Sequence, residues 1–147
     1  MKNFQIIVSF LFIFLASFSL NAESEIVINE IHYDVPDKTI RAEFIELHNP
    51  SSSAINVSGW RVSSAVNYDI PENTIIESGG FLVIAEDPDT ILSEWGVNAI
   101  GPWSGSLANE GEVIRLRDLS DSTVDEVDYK SGFPWPVVGS SPGYSIE

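Results

Sequence analysis

The chain has 147 residues, no cysteine, and 22 acidic residues against seven basic ones, for a formal net charge of −15 at pH 7. This length suffices for one domain with its own hydrophobic core, and without cysteine that core receives no help from disulfides. A surface of this charge repels phosphate backbones and anionic lipid headgroups. The composition therefore argues against a nucleic-acid partner and against docking on anionic membranes.

The first 22 residues are typical of a secretory signal peptide. Lys2 supplies the positive start, residues 6–15 form a short apolar run, and Ala22 ends a stretch suited to signal peptidase. An uncleaved anchor helix is the alternative, although the run is short for a membrane span. We predict a signal peptide over residues 1–22 and an exported mature chain, secreted or at the cell surface, without stable membrane insertion after cleavage. That mature chain keeps six basic residues and a net charge of −16, and its lack of cysteine fits a bacterial exported protein.

Alternation of apolar and polar residues with period two predicts β-strands over most of the mature chain. The predicted strands are residues 26–32, 43–49, 54–57, 60–63, 74–76, 81–85, 112–117 and 123–129. Short strands separated by Asn-Pro, Ser-Gly and Gly-Gly turn signals indicate an all-β sandwich or barrel. In one strand, parity places Ile114 and Leu116 inward and directs Arg115 and Arg117 to solvent.

One segment departs from the strand pattern. Asp87 is suited to cap a helix, Pro88 to its first position, and Gly96 to its end. We therefore predict one or two helical turns here, crossing an end of the sandwich. Residues 101–105 and 133–136 are predicted to be irregular loops.

The serine run after Asn49-Pro50 raises the question of a catalytic site, because His48 lies beside it. A serine hydrolase requires a nucleophile on a strained elbow, a base and an oxyanion hole. Residues 101–105 do not have the G-x-S-x-G spacing, and the two histidines both lie on predicted strands. Short polar residues after Asn-Pro are typical of a turn. We therefore predict that residues 51–53 form a turn, that no residue is catalytic and that the protein is not an enzyme.

Two sets of side chains are candidates for metal ligands. Glu30 with His32, and Glu46 with His48, each share one face of a strand, and pairing of those strands would bring together ligands suited to zinc. The alternative, which we favour, is that the glutamates are structural carboxylates and the histidines are half-exposed.

Carboxylates also cluster around the last predicted hairpin. They are Asp118, Asp121, Asp125, Glu126 and Asp128. Oxygen-rich loops bind calcium, but the spacing is not that of an EF-hand, so we favour a solvated acidic loop. The sequence thus predicts no metal site and no cofactor.

Trp103 and Trp135 each follow a proline in a predicted loop. Aromatic rings in that position can stack on sugars, which makes this pair the candidate binding surface. The alternative is that both rings plug the sandwich.

The order of the motifs along the chain resembles the lamin tail domain family, in particular its exported bacterial members. The motifs are INEIHYD, EFIELHNPSSSAINVSGWRVS, IIESGGFLVIAEDP, GPWSGSLANEGEVIRLRD, VDEVDY and PWP, and the resemblance covers residues 26–147. It implies an immunoglobulin-like β-sandwich without catalytic residues, used in bacteria as an accessory module beside extracellular nucleases, phosphoesterases or spore-coat-type kinases. The positions that match the family pattern are structural: Asn29, Glu30, Glu46, Asn49-Pro50, Ser58-Gly59-Trp60, Gly79-Gly80, Gly101-Pro102-Trp103, Asn109, Gly111-Glu112 and Arg117-Asp118.

The resemblance leads to an expected role. A lamin-tail-like domain over residues 23–147 would be a non-catalytic module for binding or tethering, part of a larger exported protein, with an extracellular protein or a glycan as its partner. The chain ends within the expected last strand, so the domain is predicted to close abruptly or to be truncated there. Two alternatives stay open: a surface module that binds cations or glycans, and a fragment of an extracellular nuclease or phosphoesterase without its catalytic domain.

Overall fold

A computed structural model describes residues 26–35 and 39–130. The elements in chain order are β1 (Val27–His32), β2 (Phe44–His48), β3 (Ile55–Asn56), β4 (Arg61–Ser64), β5 (Val66–Asp69), β6 (Ile75–Ile76), β7 (Phe81–Ala85), α1 (Pro88–Trp95), β8 (Ala99–Ile100), β9 (Ser104–Gly105), β10 (Gly111–Arg117) and β11 (Thr123–Lys130). The predicted all-β immunoglobulin-like sandwich with one short helical segment is confirmed.

The strands form two main sheets. The first sheet has the order β1-β2-β7-β8, and the second has the order β11-β10-β4-β5-β9. A two-stranded ribbon joins β3 to β6. The pairing of β7 with β8 is parallel, while the other pairings are antiparallel.

The core lies between the inner faces of these sheets. Ile45, Leu47 and Ile84 from the first sheet are fully buried, and so are Ile114 and Leu116 from the second. The inward parity predicted for the β10 pair is therefore confirmed. Burial of aliphatic side chains at every second position explains why these segments form strands, because only a pleated strand directs them all to one face.

Helix α1 begins and ends as the sequence predicts. The Asp87 side chain caps its first turn by accepting from the N–H groups of Asp89 and Thr90. Gly96 has the left-handed conformation, and its N–H donates to the Leu92 carbonyl to close the helix. The helix contacts β7 and β8, and its one buried residue, Ile91, packs in a small cluster on the outer side of the first sheet.

The prediction of an irregular loop over residues 101–105 is partly wrong. Ser104–Gly105 form β9, which pairs with β5 at the edge of the second sheet. This strand has two exposed residues and no apolar alternation, so no periodic signal marks it. Residues 133–136 lie outside the described part of the chain, as does the predicted signal peptide. Among the described residues, no helix is long and apolar enough to cross a membrane.

Candidate functional site: the outer face of the first sheet

The serine segment beside His48 is a turn organised by Asn49, as predicted. Asn49 is completely buried, and its Nδ2 donates to the carbonyl oxygens of Ser53, Ile76 and Glu77 at 2.8, 2.9 and 3.1 Å. Its Oδ1 accepts from the N–H of Ser51 at 3.0 Å and from the Ser51 hydroxyl at 2.6 Å. The Ser51 hydroxyl is thus engaged in holding the turn, which joins β2 to the segment before β7.

Three half-buried carboxylates accept hydrogen bonds from backbone N–H groups, two of them from distant segments of the chain. Glu43 accepts from Leu107 at 2.8 Å, and Glu112 accepts from Ala108 at 2.6 Å. Asp125 of β11 accepts from the N–H of Ile28 in β1 at 2.7 Å, which links the two sheets along one edge. Carboxylates that accept such bonds hold the fold together, because a charged acceptor makes a stronger hydrogen bond than a neutral one.

Tyr129 completes this network at the end of β11. The side chain is fully buried, and its hydroxyl donates to the Ala108 carbonyl at 2.9 Å. Burial, with the nearby Glu112 carboxylate as a second cause, raises the pKa of Tyr129 well above its ordinary value. Gly111 lies beside it with φ +103°, and a Cβ there would clash with the Tyr129 carbonyl oxygen. The tyrosine is therefore a neutral structural donor.

The acidic hairpin, residues 118–128 between and along β10 and β11, is largely engaged with its own chain. Asp118 Oδ1 accepts from the N–H groups of Ser120 and Ser122 and from the Ser120 hydroxyl. The Ser120 hydroxyl is the main cause that lowers the pKa of Asp118. Glu126 pairs with Arg115, and Asp128 pairs with Lys130 at 3.0 Å. The carboxylates of Asp118, Glu126 and Asp128 therefore bind hydrogen-bond donors of the same chain.

The zinc candidates lie on the outer face of the first sheet, where they do not form a ligand cluster. Glu30 and Glu46 stand directly opposite each other on β1 and β2, and the Asn29 amide donates to Glu46 at 2.9 Å. His32 and His48 lie on either side of this pair along the strands, each against aromatic rings. Within the described residues, no three histidine or carboxylate side chains are grouped in a way that could hold a metal ion.

His32 belongs to a three-ring cluster at one end of this face. Its ring stacks on Phe44 with centroids 5.1 Å apart, and Trp95 of α1 meets both rings edge-on at 5.5 and 5.8 Å. His32 is only 5% exposed, so the expectation that it is half-exposed is wrong. Burial lowers the pKa of His32, while Glu30 and Asp34 act in the opposite direction with smaller effect. The imidazole is therefore neutral at pH 7, packed between aromatic side chains.

A second aromatic pair lies at the other end of the same face. His48 stacks on Phe81 of β7 with centroids 4.5 Å apart and nearly parallel rings. Phe81 is 57% exposed, and Trp95 at the opposite end is 48% exposed. Neither phenylalanine nor Trp95 was among the predicted site residues. The available signal was parity, because Phe44, Glu46 and His48 alternate on β2 with the inward Ile45 and Leu47.

The two predicted sugar-stacking tryptophans have different outcomes. Trp103 is 5% exposed and belongs to the hydrophobic core, which agrees with the plugging alternative. Its Nε1 is buried without a hydrogen-bond partner in the described part of the chain. Trp135 lies outside the described residues, so a binding role for the pair stays a prediction.

These observations define a class of protein. It is an immunoglobulin-like β-sandwich whose buried polar groups make hydrogen bonds within the fold and whose exposed apolar surface includes one sheet face. The Lamin Tail Domain family model matches residues 19–131 of the sequence. The chain belongs to this family of immunoglobulin-like, non-catalytic domains, as the motif order predicted. A comparison with curated proteins finds no match.

Proposed function

We propose that this protein is an exported, non-catalytic lamin-tail-like module that binds or tethers a partner outside the cytoplasm, as an accessory domain of a larger exported protein. The observation that carries the proposal is a contrast between two sets of side chains. The polar side chains that hold the fold are occupied by contacts within the protein, while the outer sheet face exposes apolar surface. Asn49, Glu43, Glu112 and Tyr129 are occupied with backbone groups. The exposed Phe81, in contrast, offers apolar surface to solvent.

The contacts of the described polar side chains support the non-catalytic part of this proposal. General acid–base chemistry needs a histidine or carboxylate within hydrogen-bond reach of a reacting group and a nucleophile beside it. His32 is packed between two rings, and the Ser51 hydroxyl bonds to Asn49 and to the Ser53 carbonyl. A binding role would instead use the exposed outer face of the first sheet, which these contacts do not cover.

Export and tethering are tested together by expressing the full chain with a tag after Glu147 and fractionating the cells. We expect the tagged protein in the extracytoplasmic fraction, beginning at Glu23, with part of it retained on the cell surface. Retention should be lower for Phe81→Ser than for Ile75→Ser, since Ile75 is similarly exposed but lies on a different strand pair, β3-β6. A cytoplasmic protein that keeps Met1 would refute the proposal, as would retention equal in the two variants.

A further inference from the structure

We infer that the outer face of the first sheet binds an extended cationic peptide segment with an arginine or lysine between two apolar side chains. This inference rests on the proposed binding function and names its partner. The occupied surface would consist of the cross-strand pair Glu30 and Glu46, flanked by the cluster of Trp95 with Phe44 and by the exposed Phe81. This set is called the aromatic–acidic face below.

The first argument is the arrangement of side chains in three rows across the sheet. Cross-strand pairing places His48 opposite Phe81, Glu30 opposite Glu46, and His32 opposite Phe44. Residues two apart on a strand are about 6.7 Å apart, so the two aromatic rows lie roughly 13 Å apart with the carboxylates midway. An extended peptide has the same period. Its residues at every second position face one side, and an apolar–basic–apolar set matches the three rows.

The second argument is the like-charge pair itself. Carboxylates directly opposite each other on antiparallel strands repel and disfavour folding. The Asn29 amide contacts only one oxygen of Glu46. A guanidinium or ammonium group placed between Glu30 and Glu46 would replace that repulsion with two attractions, and an arginine would add directional hydrogen bonds.

The third argument is the charge of the surroundings. The described strands of the first sheet and α1 contain no lysine or arginine. Arg41, which precedes β2, pairs with Glu86 at 2.9 Å. With a net charge of −15 for the whole chain, the face attracts cationic segments and repels anionic ones.

The test is a titration of the full-length protein with two labelled, extended seven-residue peptides, followed by fluorescence anisotropy. Both carry phenylalanine at the two anchor positions four residues apart, with arginine midway in one and glutamine midway in the other. We expect the arginine peptide to bind at least about tenfold more tightly, with an affinity that falls as sodium chloride is raised from about 0.05 to 0.5 M. Equal binding of the two peptides would overturn the inference.

Variants separate the face from the rest of the surface. Glu30→Gln removes the like-charge repulsion, so it should melt no lower than the parent while binding the arginine peptide about tenfold less tightly. Glu72→Gln is the matched control, because Glu72 is exposed in the turn that follows β5 of the second sheet. Phe81→Ser should also weaken binding about tenfold, whereas Ile75→Ser should leave it unchanged. Equal loss in the control variants would overturn the assignment.

Two further measurements assign the face to other occupants. Salt-insensitive binding of chito- or cello-oligosaccharides that Phe81→Ser abolishes would make it a glycan platform and overturn the peptide inference. A concentration-dependent dimer in analytical ultracentrifugation, lost in Phe81→Ser, would show that a second copy covers the face, with the same consequence. If peptide binding fails but surface retention of the exported protein still depends on Phe81, the proposed tethering function stands and only the partner assignment falls.

Discussion

Asn49 makes more side-chain hydrogen bonds than its position in a serine-rich turn suggests, and we predict that Asn49→Ala destabilises the domain by about 3 kcal/mol. Five contacts converge on its amide, three through Nδ2 and two through Oδ1. A hydrogen bond contributes about 1 kcal/mol net, and a buried group left without a partner costs about 1–3 kcal/mol. The Ile76 carbonyl is such a group, because its bond to Asn49 is fully buried. Water can reach the more exposed Ser53 carbonyl, so the full sum is not lost.

Urea unfolding followed by tryptophan fluorescence measures this loss. With an m-value of about 2 kcal/mol/M, the midpoint should fall by about 1.5 M urea while m stays constant. Asn98→Ala is the matched control, since Asn98 is exposed after α1 and its replacement should change stability by less than about 0.5 kcal/mol. A midpoint for Asn49→Ala equal to that of the control would refute the reasoning. Asn49→Asp sharpens the test, because it aims a carboxylate at three carbonyl oxygens and its penalty should shrink when acid protonates that group.

Three further predictions follow from the geometry. Because burial lowers the pKa of His32, its contribution to stability is full above its ordinary pKa of 6.5 and is lost as pH falls through the lowered value. His32→Gln should therefore flatten the drop in urea midpoint between about pH 7.5 and 5, and an unchanged drop would contradict this. Asp125→Ala should cost about 1–3 kcal/mol by thermal denaturation because it leaves the Ile28 N–H of β1 unpaired, while Asp128→Ala, which removes only an exposed ion pair, should cost less than about 1 kcal/mol. Millimolar calcium should raise the melting temperature no more than sodium chloride of equal ionic strength, and an excess that disappears when the acidic hairpin is neutralised would contradict this.

Most of the strands and the helix were predictable because their signals are local and periodic, whereas β5, β8 and β9 were not predicted. Ile114 and Leu116 alternate with arginines, and α1 carries a capping aspartate, a proline and a terminal glycine in the expected order. In β11 the apolar alternation is interrupted, because Asp125 shares the inner face with Val127 and Tyr129. The structure explains it: that carboxylate lies at the edge and accepts from the Ile28 N–H.

The binding face was harder to predict because it is assembled from segments distant in the chain. Phe81 stacks on His48 across the β2-β7 pairing. Trp95 contacts Phe44 because α1 packs against the outer face of the same sheet. Parity assigns each residue to a face of its own strand, but it does not say which strands are neighbours. The sequence instead predicted a binding surface at the tryptophans that follow prolines, of which Trp103 lies in the core.

The positions of the acidic side chains bear on function more directly than the total negative charge does. Glu43, Glu112 and Asp125 are half-buried and accept backbone N–H groups, and a hydrogen bond to each charge offsets the cost of partly burying it. Such carboxylates hold the fold together and are occupied. Glu30 and Glu46 differ, because they face outward, stand opposite each other and border exposed aromatic surface. A repulsive pair that destabilises the free domain, beside apolar surface left open to water, gains most from a partner that supplies both a positive charge and apolar side chains.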